Sequence, residues 1–109
     1  MANDEVRNLL LQIGNRNNAY TTWSVTPVRR SKIKVHVRIH DQRMNLEFRH
    51  VRWKGTDWLW EIFTEADVNN PMARIEFASE LVDLILKVGA IMGRRNVAAH
   101  VKRGLDHIR

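Results

Sequence analysis

From Lys32 to His40 apolar and basic residues alternate without a break. Ile33, Val35, Val37 and Ile39 take the odd positions, and Lys32, Lys34, His36, Arg38 and His40 the even ones. Successive side chains of a β-strand point to opposite faces, so the pattern predicts a strand with one face for a core and a basic face for water. The alternation resumes near Arg43, with Met44, Leu46 and Phe48 as the apolar positions. A two-residue turn at Asp41-Gln42 would set Ile39 opposite Met44, Val37 opposite Leu46 and Val35 opposite Phe48. On the other face it would set His40 beside Arg43, Arg38 beside Asn45, His36 beside Glu47 and Lys34 beside Arg49.

Lys54-Gly55-Thr56-Asp57 places Gly first in a two-residue loop, the pattern of a type II′ hairpin. It predicts a strand over Trp58–Phe63, with Lys54 facing Asp57, Trp53 facing Trp58, Val51 facing Trp60 and His50 facing Glu61. The inward positions then change from even to odd numbers, which predicts a β-bulge near Arg49-His50. An earlier strand is expected over Tyr20–Thr26, ended by Pro27, with Arg29 and Arg30 in the connection.

Helical spacing frames this set of strands. Val6, Leu9, Leu10 and Ile13 follow Asn3 as N-cap and Asp4 and Glu5 in the first turn, and Gly14 is the expected stop. Asn70-Pro71 reads as a second helix start, for a helix running to Met92 before Gly93. Its apolar face is wide enough to predict cover on more than one side, and a homodimer through this 71–92 helix is expected. A short basic helix over Val97–Arg103 would follow. The predicted fold class is α+β, in the order α-β-β-β-β-α-α. A four-stranded antiparallel sheet has its helices packed on one face, leaving the basic row on the wet side.

At 109 residues, 44% hydrophobic and 28% charged, the chain is one globular domain over 1–109, with 93–109 as a basic C-terminal extension. Such a chain buries about two thirds of its unfolded surface. Cysteine is absent, which excludes disulfides and thiolate chemistry and suggests a reducing compartment. The first residues carry acids where a signal peptide would be basic, and the segment Leu81–Met92 contains Asp83 and Lys87. A cytoplasmic protein is expected, of a cell or of a virus or mobile element within one.

The net charge of +6 is unevenly spread. Residues 29–54 carry nine Lys/Arg against Asp41 and Glu47, a net of +7. Residues 55–92 carry Arg74 and Lys87 against seven acids, a net of −5, and residues 93–109 carry five Lys/Arg against Asp106, a net of +4. Such segregation speaks to partners. Like-charged cross-strand neighbours cost a sheet some tenths of a kcal/mol each, a cost that phosphate binding would relieve. The expected partner is therefore nucleic acid, contacted at its phosphate backbone. Arg29, Arg30, Lys32, Lys34, Arg38, Arg43 and Arg49 would be the primary contacts, His36 and His40 accessory ones, and Arg94, Arg95, Lys102 and Arg103 a second patch. With Trp53, Trp58 and Trp60 expected on the core side, stacking is disfavoured and a duplex is favoured over a single strand.

Two family patterns bear on this. Gly93-Arg94-Arg95-Asn96 resembles the GxxG loop of KH domains over four residues, with Asn in place of the second Gly and no strand after it. The element order resembles that of double-stranded-RNA-binding domains, but Glu65, Asp67 and Asn70-Pro71 stand where that family has lysines. Neither family is assigned. No HExxH, paired-carboxylate or Ser-His-Asp pattern is present, and His36 and His40 would lie about 13 Å apart on a strand, too far to share an ion. No catalysis, metal or cofactor is expected. The alternative function is a small protein-binding inhibitor or adaptor, of the sort viruses and phages encode. It would act on a nucleic-acid-handling machine by docking an acidic or an apolar protein surface.

Overall fold

A computed structural model describes residues 4–14, 21–55 and 57–108, with side chains described as far as residue 93 of the last helix. The order is α1 (Asp4–Gly14), β1 (Thr21–Arg29), β2 (Lys32–Ile39), β3 (Gln42–Lys54), β4 (Asp57–Thr64), β5 (Ala73–Ile75) and α2 (Ala78–Ile108). The five strands form one antiparallel sheet in sequence order, and both helices pack on the same face of it and on each other.

The class is α+β as the pattern predicts, with one strand more. Residues 71–77, expected in a helix, form a connection and the short strand β5, and α2 starts at Ala78. Asp67 explains why. Its carboxylate accepts hydrogen bonds from the backbone amides of Asn69 (3.1 Å) and Asn70 (3.0 Å), and its own amide donates to the Thr64 carbonyl. That closes a turn where Asn70-Pro71 suggested a cap. The expected break at Gly93 is also absent, since α2 continues unbroken to Ile108. The separate basic helix over Val97–Arg103 is thus part of α2.

The core lies between the sheet and the helices. Ile33, Val35 and Val37 of β2, Met44, Leu46 and Phe48 of β3, and Trp60 and Ile62 of β4 meet Val6 and Leu10 of α1 and Leu81, Leu84, Val88 and Met92 of α2. Burying a side chain of that size contributes about 1.5–3 kcal/mol. Gly14 ends α1 against β1. A Cβ there would stand 3.1 Å from a methyl of Val25, so the helix approaches the strand as closely as glycine permits. β1 pairs with β2 alone, and Pro27 therefore loses no ladder hydrogen bond on its open side.

Two registers differ from expectation. β2 pairs with β3 so that Ile33 faces Phe48, Val35 faces Leu46, Val37 faces Met44 and Ile39 faces Gln42, two positions away from the predicted ladder. The turn is His40-Asp41, and His40 adopts a φ of 54°. A tight hairpin needs a left-handed residue at its first central position, which His tolerates better than most. In the next hairpin Gly55 takes that role with a φ of 55°, and Lys54 faces Asp57 as expected. The bulge falls between Arg52 and Lys54 instead of near Arg49-His50. The even-numbered inward run therefore continues through His50, which leaves Trp53 on the open face, while Trp58 keeps to the side of Trp60 at the end of the hairpin. Trp53 and Trp58 are 46% and 37% exposed, against 2% for Trp60.

Candidate nucleic-acid interface

The side of the sheet away from the helices is open, and its rungs follow from the two ladders. Thr22, Arg38 and Arg43 lie abreast across β1, β2 and β3; so do Ser24, His36 and Asn45; so do Thr26, Lys34 and Glu47. Rungs two residues apart are separated by about 6.6 Å. Hydroxyls on the edge strand thus stand beside basic groups on the central ones.

The shifted register changes the like-charged neighbours. They are Arg38 with Arg43 and Lys32 with Arg49, in place of Lys34 with Arg49 and His40 with Arg43. The expected pairs of His36 with Glu47 and His50 with Glu61 become His36 with Asn45 and His50 with Trp60. His40 leaves the row for the turn.

Internal partners fix some of the row and leave the rest. Glu47 lies between Lys32 (3.2 Å) and Arg49, one carboxylate for two cations. Burial opposes its charged form. Hydrogen bonds from Arg49 and Lys32, and their charges, outweigh that, so its carboxyl is held below the usual range. The Arg49 guanidinium also lies over the Phe63 ring, 4.0 Å from its centre. Arg38 donates to Thr22 Oγ1 (3.1 Å) and to the His40 carbonyl (3.0 Å), which aims its guanidinium along the β1 edge. His36 Nδ1 is 2.7 Å from Asn45 Oδ1, and Asn45 donates to Glu65 (3.1 Å). Lys34 and Arg43 are exposed, and among the described residues neither forms an ion pair. Beyond β3, Arg74 pairs with Glu61 (3.0 Å) and lies over Trp53, 4.6 Å from the ring centre.

A groove of about 490 Å³ runs along this face, with Ser24, Thr26 and Lys34 at one side and Phe63 and Val68 at the other. The turn at 64–70, a polar connection by its sequence, builds its far wall. Of the remaining expected contacts, Arg29 and Arg30 line recesses on the α1 side of the sheet, where Arg30 lies 4.0 Å from Asp4. The side chains of Arg94, Arg95, Lys102 and Arg103 lie outside the described residues, as does Tyr20.

Trp58 is the residue whose role the sequence concealed most. His50 sits between Trp58 and Trp60, with ring centres 5.0 and 4.8 Å apart, and burial there lowers the His50 pKa. The expectation that the tryptophans face the core therefore fails for Trp53, which lies under Arg74, while Trp58 stays on the side of Trp60 but is 37% exposed.

Among the described residues no group of three His, Asp or Glu side chains converges as metal ligands, and no helix is long and apolar enough to cross a membrane. Comparison of the chain with protein-family models, curated proteins and solved structures finds no match.

Proposed function

We propose that this protein is a nucleic-acid-binding module that contacts the phosphate backbone through the open face of its sheet, without catalysis. The observation that supports this most is the set of rungs joining Thr22, Ser24 and Thr26 to Arg38, Arg43, His36 and Lys34. Lys34 and Arg43 form no ion pair among the described residues, and Glu47, the carboxylate abreast of Lys34, is shared by Lys32 and Arg49. Hydroxyl donors beside cations suit phosphate oxygens, and polyanion contact offsets the repulsion between Arg38 and Arg43.

The test is fluorescence anisotropy with a labelled oligonucleotide at stepped salt concentrations. Affinity should fall steeply with salt, and each of Lys34→Ala and Arg43→Ala should reduce the slope of log affinity against log salt by about one. Affinity indifferent to salt, or no binding at low salt, overturns the proposal.

A second function, as an inhibitor or adaptor that binds protein, draws on a different observation. Val82 and Leu86 of α2 are 54% and 67% exposed on the side away from the sheet. The predicted cover on several sides is thus supplied on one side alone by the described residues. A second copy of this chain is one candidate for that face. Light scattering at micromolar concentration checks it, with a dimeric mass expected if the copies pair.

A further inference from the structure

On the other side of the sheet, next to α1, lies a recess of about 410 Å³ whose walls carry opposite chemistries. One wall is an aromatic column. Trp60 is buried at its base, His50 is stacked on it with an interplanar angle of 29°, and Trp58 is tilted over His50 at 31°. Arg52 lies above the Trp58 ring, 5.5 Å from its centre. The other wall is the turn from β1 to β2, with Arg29, Arg30 and Ser31. The His50 amide donates to the Ser31 carbonyl (2.9 Å), which ties the two walls together. Asp4 is the carboxylate in the recess, and it stands 4.0 Å from an Arg30 whose side chain is 81% exposed. Arg7 adjoins, and its guanidinium donates to the Arg30 carbonyl (3.4 Å). The recess thus has more guanidinium than carboxylate charge.

The column leaves Trp58 37% exposed at its outer end. A tryptophan at the end of a hairpin is costly to leave in water, and Arg29 and Arg30 add charge of one sign beside it. A ligand with a flat apolar ring and a phosphate satisfies both walls. Bases stack on aromatic rings and on guanidinium planes, and arginine takes phosphate oxygens in pairs. The volume lies within the range of small-ligand sites.

We infer that this recess binds a nucleoside phosphate, its base on the exposed part of the Trp58 ring and its phosphate on Arg29 and Arg30. The site is separate from the open face, so either can fail without the other. The ligand has two sources with the same chemistry: a free nucleotide, or an unpaired nucleotide of a strand.

Tryptophan fluorescence tests the inference. Adenosine 5′-monophosphate, adenosine and a short single-stranded oligonucleotide are each titrated into the full chain. Saturable quenching by the monophosphate is expected, with adenosine binding on the order of tenfold more weakly. Quenching by the oligonucleotide alone assigns the site to a strand. Trp58→Leu should abolish the quenching. Arg29→Ala with Arg30→Ala, on an exposed turn, should erase the difference between nucleotide and nucleoside, with unfolding curves checking that both variants fold. Equal binding of adenosine and its monophosphate overturns the inference. So does quenching that survives Trp58→Leu, or no quenching by any of the three ligands.

Discussion

Lys34 and Val35 are neighbours in the chain and lie on opposite faces of one sheet. Val35 joins a contiguous core with the helices, while Lys34 meets solvent beside Thr26. In the core of the covered face each side chain has a folding reason to be where it is. On the open face the abutment of Arg38 and Arg43 costs stability, which the hydrogen bonds of Arg38 to Thr22 and the His40 carbonyl offset in part. The core therefore explains the architecture, and the open face is where the proposed polyanion contact is to be tested.

Core truncation should separate the faces most sharply. Phe48→Ala, at a fully buried position, should cost about 3–5 kcal/mol in urea unfolding. Lys34→Ala should stay within about 0.5 kcal/mol. A large loss from Lys34→Ala would mean that the open face is structural after all.

Glu47→Gln should act in opposite directions on folding and on binding. It frees Lys32 and Arg49, so oligonucleotide affinity should rise several-fold at fixed salt. The Glu47 carboxyl lies below its ordinary pKa of 4.5, so its contribution to stability is present above that pH and is lost as pH falls through the folded value. The variant should lose stability at neutral pH and show a shallower decline in acid, which urea midpoints at pH 7 and pH 3 would register.

The smallest effect concerns His50. Burial between Trp58 and Trp60 lowers its pKa, so the unfolded chain takes up the proton first. Stability should fall as pH drops from about 6.5 toward the folded value, then level off. His50→Phe keeps a flat ring in the column and should flatten that segment of the stability profile.

The strands were legible because period-two alternation has no helical counterpart. The register of β2 on β3 was not, for a reason in the same pattern. A ladder of alternating residues fits equally well after a slip of two, since Val35 can face Leu46 or Phe48 with apolar contact either way. The choice fell to the turn, where His40 accepts a positive φ that its identity does not advertise. The bulge at Trp53 then moved that tryptophan from the expected core side to the open face, while Trp58 kept its side and is exposed at the hairpin end. β5 was hidden because three residues are too few to show a period, and Asn70-Pro71 serves a turn as readily as a helix start. The basic character of the open face survived the slip, because every even position of β2 stays on that face in either register.

The most direct test of the account is to map the ligand by amide chemical shifts during titration with a nucleic acid. Ser24, Thr26, Lys34, Arg43 and Asn45 should shift together while Val82 and Leu86 of α2 do not. Shifts concentrated on α2, with the open face silent, would contradict it.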